Sequence, residues 1–335
     1  MKVLIVNQSE VRQLMPMNAC MDIMETALVT LGKGQGVNPL RWATFLPEEV
    51  GGLIGMMPAY LADPPSMGLK AVTVMPGNHG TPYDAHQGAV LLFETEYGCL
   101  RAMMDATEIT GIRTGAVSGV ATRLLARDDA DDVAILGSGV QASSHLAAML
   151  VARTARRVRV WSRSDDNANA FSERESSRHG IEIEVMPSAK EAVEGADIIC
   201  TTTSAREPVL MGEWLSPGAH INAAGSSIKS TRELDTDAVV RSRLYVDRRE
   251  STLNEAGDFL FPKQEGAVTD DHIQGELGEI LLHQVTGRQS SDEITLYKSL
   301  GLGVEDIASA HYIYEKAVEQ DLGTWLDWGG ERDDG

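Results

Sequence analysis

Two short stretches carry residue types that do recognisable chemistry. Gly137-Ser138-Gly139-Val140-Gln141-Ala142 has the spacing G-x-G-x-x-A, follows an apolar run and opens a helical pattern, the setting in which such a loop binds a dinucleotide pyrophosphate. Gly137 permits the tight turn and Gly139 lets the backbone approach the phosphates. Ala142 lets the helix sit close to its strand. Ser138, Val140 and Gln141 complete the loop and first turn, whose unpaired N–H groups face an anion. The second stretch, Trp161-Ser162-Arg163-Ser164, ends the next strand. An Asp or Glu there would bind a ribose 2′-hydroxyl. A guanidinium with a hydroxyl on either side suits a 2′-phosphate instead. Ser162, Arg163 and Ser164 therefore point to NADP(H) over NAD(H). Arg153, Arg156, Arg157 and Arg159 form a basic island just upstream, read mostly as solvated surface.

The elements that must position these residues alternate. From Asp131 onward the sequence predicts strands at 133–136, 158–161, 181–185, 197–201, 220–224 and 244–247. Helices fall at 140–153, near 165–178 and near 189–194. Strand–helix alternation calls for a parallel sheet covered on both faces, a Rossmann-type doubly wound α/β arrangement. The N-terminal part has a different grammar. A strand at 3–6 and a helix near 18–31 precede apolar runs at 52–57, 68–74, 88–93 and 100–104, expected as a mixed or antiparallel sheet. Pro64-Pro65 and Met75 to Gly80 read as loops, and Asp105 to Arg127 as a helix. A last helix, about Val304 to Gln320, carries Val304, Ile307, Ala308 and Ala317 and is expected to pack back on the first domain.

Composition narrows the partners. The chain has 335 residues and a net charge of −20; such a surface repels nucleic-acid backbones and anionic lipid. Cys20, Cys99 and Cys200 stand far apart, with no metal-ligand spacing, and read as buried thiols in a reducing compartment. The apolar N-terminal run is too short for a signal peptide and no run is long enough for a membrane span, so a cytoplasmic protein is expected.

Several segments stand in an order typical of one family: Ala85-His86-Gln87-Gly88-Ala89-Val90-Leu91-Leu92-Phe93, Thr110-Gly111-Ile112-Arg113-Thr114-Gly115-Ala116-Val117-Ser118, Gly137 to Ala142, His220-Ile221-Asn222-Ala223-Ala224-Gly225, Gly275-Glu276-Leu277-Gly278-Glu279 and Lys298-Ser299-Leu300-Gly301. The chain resembles the ornithine cyclodeaminase/mu-crystallin family over nearly its whole length. Val160 to Ser164 and Asn254 to Asp258 look most like its ketimine-reductase branch. The resemblance implies an α+β substrate-binding and dimerisation domain, residues 1–118 with 305–335, and a Rossmann domain, residues 119–304. It also implies a homodimer and a small imino- or amino-acid substrate.

By the same resemblance, Arg41, Lys70 and Arg113 bind the substrate carboxylate, with Lys70 and Arg113 closest to the chemistry. An Arg fork fixes a carboxylate in two directions, which hydride transfer requires. Ornithine cyclodeaminases and archaeal-type alanine dehydrogenases place an Asp after the fifth Rossmann strand to deal with the substrate amine; here Ser227 stands at that point. The missing carboxylate favours C=N reduction. The expectation is an NADPH-dependent reductase of a small α-imino acid, a cyclic ketimine or pyrroline/piperideine-2-carboxylate. The alternatives are a cyclodeaminase or alanine-type dehydrogenase, and a non-catalytic NADPH-dependent binder of small ligands. His86, Glu255, Asp258 and Glu279 are further polar candidates, none assigned a role. Met56, Met57, Met75 and His79 are candidates for the side-chain pocket.

Overall fold

The structure is a computed structural model that describes residues 1–78, 80–330 and 332; His79 lies outside them. The chain divides into two compact units, Met1–Arg113 with Leu302–Gly335, and Thr114–Gly301.

The first unit is built on a mixed sheet. Its strands are β1 (Lys2–Val6), β2 (Gly36–Val37), β3 (Trp42–Phe45), β4 (Leu53–Ala62), β5 (Pro65–Val74), β6 (His86–Phe93), β7 (Leu100–Asp105) and, from the end of the chain, β16 (Thr324–Asp327). The order is β16-β1-β7-β6-β5-β4-β2, with β3 also on β4. Among the described residues of this sheet, only the β1–β7 pairing is parallel. The run of antiparallel strands from β4 to β7 is what the short apolar stretches and intervening turn residues predict. Pro65 opens β5 rather than extending the loop, a first-of-strand position where a missing N–H is tolerated. Helices α1 (Gln8–Leu14), α2 (Met17–Gly32) and α11 (Gly303–Glu319) belong to this unit, and α3 (Ala106–Leu125) runs across its boundary at Arg113 into the second. Asn7 caps α1 through a reciprocal bond pair with Glu10, a capping box. As expected, α11 packs against strands β4, β5 and β6, and also against α2. Gly303 permits it: a Cβ there would lie 3.1 Å from Ala59 Cβ and from the carbonyls of Met57 and Pro58.

The second unit is a Rossmann-type doubly wound sheet. Its strands are β8 (Asp132–Leu136), β9 (Arg157–Trp161), β10 (Glu184–Val185), β11 (Ile198–Thr201), β12 (His220–Ala223), β13 (Ser242–Val246), β14 (Ile273–Glu276) and β15 (Ile294–Lys298). All pair in parallel, in the order β10-β9-β8-β11-β12-β15-β13-β14. The connecting helices are α4 (Val140–Ala152), α5 (Asp165–His179), α6 (Ala189–Val193), α7 (Thr236–Val240), α8 (Arg249–Glu255), α9 (Gly257–Gln264) and α10 (Leu277–Leu281). β8 and β11 are fully buried apolar runs, the signature of a central parallel strand. The order reverses between β8 and β11, and ligands of such sheets bind at the carboxyl ends of the strands flanking that point.

The basic island has dissolved into structural pairs. Arg159 is fully buried and grips Asp132 Oδ1 at 2.7 Å, Arg157 pairs with Glu184, and Arg156 with Asp131. Arg153 donates to the carbonyls of Thr122, Arg123, Ala126 and Arg127, closing the C-terminal end of α3. Cys20 and Cys200 are buried, whereas Cys99 is half-buried. Among the described residues, no helix is long and apolar enough to cross a membrane.

Candidate functional site

The glycine loop lies between β8 and α4. Gly137 has φ +124, and a Cβ there would meet Thr202 Oγ1 at 2.6 Å, so this position demands glycine. Gly139 is different. It caps α4 with an ordinary φ of −88 and no side-chain bond, and a Cβ there would meet nothing within 4 Å. The turn is therefore tight at Gly137 and open at Gly139, where unpaired helix N–H groups await an anion. Ala142 is buried. Val140 and Gln141 form the first turn, with Val140 exposed on it. A dinucleotide pyrophosphate fits this cradle.

Ser138 Oγ donates to Ser162 Oγ at 3.0 Å, which ties the glycine loop to the end of β9. Arg163 is exposed there. Ser164 has a second duty as N-cap of α5, accepting from Asn167 N; its O–H remains a donor. Gly225 follows β12, and Ser227 stands two residues later, half-buried.

A buried charge cluster holds the carboxyl ends of β11 and β12. The Glu233 carboxylate accepts from Thr203 N (2.6 Å) and Oγ1 (2.7 Å) on Oε1, and from Thr201 Oγ1 and Gly225 N (both 2.8 Å) on Oε2. Asp258 accepts from the amides of Glu233 and Leu234 and pairs with Lys298 Nζ at 2.9 Å. Lys298 also donates to the carbonyls of Ala223 and Ser226. Asp258 is thus a structural pair, and Glu279 likewise caps α10 through Glu276 N. Glu255 ends α8, half-buried.

The first unit holds the second candidate centre. Lys70 on β5 and Arg113 on α3 meet across one carboxylate, Asp306 on α11. Lys70 Nζ is 2.8 Å from Asp306 Oδ2 and 3.3 Å from Thr110 Oγ1. Arg113 Nε is 2.9 Å from Asp306 Oδ1, and its Nη1 is 2.9 Å from Glu305 Oε2. All four side chains are at most 4% exposed. Burial and the charge of Arg113 push the Lys70 ammonium down to about 8, against Asp306 and Glu305. Burial, then Lys70 and Arg113, lower the His86 imidazole on β6. Arg41 directly precedes Trp42, whose partner on β4 is Met56; the next residue, Met57, lies opposite Lys70. The structure thus joins Lys70 to Arg113 and leaves Arg41 just before β3, which pairs with β4.

Glu305 and Asp306 were not foreseen. Their signal was an acidic pair inside an apolar run, Val304-Glu305-Asp306-Ile307-Ala308, which must carry buried charge if the run is buried.

The chain as a whole is similar to known proteins. Residues 1–321 match the model of the ornithine cyclodeaminase/mu-crystallin family. The mouse protein named ketimine reductase mu-crystallin is 40% identical over 87% of this chain and 90% of its own length. A solved structure of Delta(1)-pyrroline-2-carboxylate reductase from Thermococcus litoralis, in complex with NADH and L-proline, superposes with a TM-score of 0.94 at 39% identity, covering 96% of this chain and 99% of that one. An archaeal alanine dehydrogenase dimer with bound NAD gives a TM-score of 0.91 at 31% identity, covering 98% and 100%. A glycine cradle on a doubly wound sheet, a buried Lys–Arg pair and likeness along the whole chain agree: the chain belongs to the ornithine cyclodeaminase/mu-crystallin family.

Proposed function

We propose that the chain is an NADPH-dependent reductase of a small cyclic α-imino acid, of the pyrroline- or piperideine-2-carboxylate type. The observation that carries this is the pair of buried cations, Lys70 and Arg113, held on one carboxylate. Two cations fixed in a dry setting bind a carboxylate in one orientation, because water there does not compete for their donors. When bound, the nicotinamide supplies a hydride to the C=N carbon, and the nitrogen takes a proton. Lys70 and Arg113 hold the carboxylate beside that carbon, with Arg41, just before β3, as a third cation. With its ammonium at about 8, Lys70 is largely protonated at neutral pH, so it acts as a donor there.

Ser227 offers a hydroxyl where an amine-handling enzyme would need a carboxylate. That choice favours reduction over oxidative attack on an ammonium substrate. Gly137, Ser138, Gly139, Val140, Gln141 and Ala142 would hold the pyrophosphate. Ser162, Arg163 and Ser164 would hold the 2′-phosphate. The first unit would supply the dimer contact through a second copy of this chain: Val37, Trp42, Phe45, Ile54 and Tyr60 are exposed apolar residues on β2–β4. The archaeal relative is a dimer.

The reading is tested by following NADPH consumption with pyrroline-2-carboxylate, piperideine-2-carboxylate, and pyruvate with methylamine. Rapid oxidation with a cyclic member is expected. Ammonia release from ornithine would show the oxidative cyclodeaminase instead. Cofactor binding with no turnover would show a ligand-binding protein.

A further inference from the structure

We propose that Asp306 is the positioning residue of this site, orienting Lys70 and Arg113 together for the substrate carboxylate. The inference deepens the reductase reading and rests on it for the identity of the ligand. The geometry is specific. Each oxygen of one carboxylate takes a different cation, Oδ2 the ammonium of Lys70 and Oδ1 the Nε of Arg113. Neither cation could shift without breaking that bond. Asp306 itself is immobilised. It is 0% exposed, and it lies in the first turns of α11, where the helix dipole favours an anion. Its helix starts at Gly303, pressed against the β4 backbone. Glu305, its neighbour, accepts from Leu302 N and binds Arg113 Nη1, fixing the same turn from the other side.

The charge arithmetic gives Asp306 a second consequence. Lys70 and Arg113 share a buried site, and burial and the charge of Arg113 lower the Lys70 ammonium. Asp306 and Glu305 oppose them. The remaining groups around the cluster do not replace Asp306. Thr110 on α3 is neutral. The imidazole of His86 on β6 is lowered toward its neutral form. The Cys20 thiol on α2, pushed up to about 12 by burial, stays protonated. An opposite charge this close favours the charged form by about 1–3 pH units. The Lys70 ammonium has three protons; one faces Asp306 and one the Thr110 hydroxyl, and the third is the one a ligand carboxylate takes.

The test compares wild type, Asp306→Asn and Asp306→Glu. In Asp306→Asn the high-pH limb of kcat/KM should move down by about 1–3 pH units. KM for the imino acid should rise at least about tenfold at neutral pH, since one charged hydrogen bond is worth about that factor. NADPH affinity should stay unchanged. Asp306→Glu keeps the charge but displaces the oxygens, so its KM should rise while the limb stays in place. If Asp306→Asn does not fold, the Glu variant carries the test: a raised KM with an unmoved limb supports the proposal, and a wild-type KM overturns it. In the Asn variant, an unmoved limb overturns the proposal. Lys70 is also titrated directly by NMR of protein carrying 13C-labelled lysine, assigned with Lys70→Met. An inflection that falls in Asp306→Asn supports the positioning role even if no imino acid turns over, and an unchanged inflection overturns it. Failure of the wild type on every substrate would sink the reductase reading alone.

Discussion

Glu233→Gln replaces a carboxylate by an amide of the same shape, and the structure says what must break. Each carboxylate oxygen accepts one backbone N–H and one threonine hydroxyl. The amide of Gln has one oxygen and one NH2. Whichever way it turns, the NH2 confronts a backbone N–H, that of Thr203 or that of Gly225. A threonine hydroxyl can rotate to accept, but a backbone N–H cannot. One buried backbone donor is therefore orphaned, at a cost of about 1–3 kcal/mol. The bonds that survive lose their charge assistance, which is roughly half of their strength. A total near 3 kcal/mol follows, and a unit of this size shifts by about 2–4 °C per kcal/mol. Calorimetry should show Tm lower by about 6–12 °C. Burial and the charge of Asp258 push this carboxyl up, against Lys298 and the bonds from Thr203. Were it protonated at neutral pH, one donor would already have given way and Gln would be nearly neutral. A Tm within about 1 °C of wild type, or under about 0.5 kcal/mol, would refute the four-donor carboxylate. The same variant should weaken NADPH binding, because the loop Glu233 holds carries Thr202 against Gly137.

Other consequences are as direct. Gly139→Ala should leave stability within about 1 kcal/mol of wild type yet weaken cofactor binding, since its Cβ enters open space. Gly137→Ala should destabilise by about 1–3 kcal/mol through its positive φ and the contact with Thr202. Parallel melting curves and cofactor titrations would separate the two, and equal effects on both readouts would contradict the assignment. Arg163→Ala should cost about 1.5–3 kcal/mol of NADPH affinity, roughly 10- to 150-fold, and spare NADH; isothermal titration with both cofactors checks it, and equal losses would count against a 2′-phosphate contact. Burial holds His145 at about 4 and His220 at about 3. Both fold neutral, so their contribution is whole above about pH 6.5 and is lost as pH falls through the folded values. At about pH 5 each costs about 2 kcal/mol. Melting curves from neutral to acid pH should show that loss, and His145→Gln should flatten it; an unchanged slope would contradict it.

What the sequence revealed follows from how local each signal was. The glycine loop, its strand and its helix are contiguous, so the strand–loop–helix around Gly137 to Ala142 was legible from the chain alone. Lys70 and Arg113 stand 43 positions apart by their numbering and drew notice only through family resemblance. Their common partner Asp306 was hidden because a charged pair in a helix ordinarily marks the solvated face, whereas α11 is buried along most of its first half. The basic island failed for the converse reason. Arg156, Arg157 and Arg159 were neighbours in sequence, but their acidic partners Asp131, Glu184 and Asp132 came from other strands and loops. Glu233, Asp258 and Lys298 were likewise invisible as a group until the fold brought three segments together. Among the missed strands, β3 and β16 are four residues long and exposed throughout, so they lack the alternation by which a half-buried strand announces itself. The sequence reading missed β2, β14 and β15 as well, although β15 is buried along its whole length. The expected strand at 181–185 shrank to the two residues of β10, at the edge of its sheet.

On the proposed function, hydride passes to the C=N carbon of a cyclic imino acid. The most direct test supplies NADPH deuterated at the nicotinamide C4, on the transferred face, together with pyrroline-2-carboxylate. The product is then read by mass spectrometry and NMR. The account predicts proline carrying one deuterium at Cα, formed in step with NADPH consumption and lost in Arg113→Lys. Proline without label, or NADPH that binds but is never consumed across the cyclic imino acids, would contradict it.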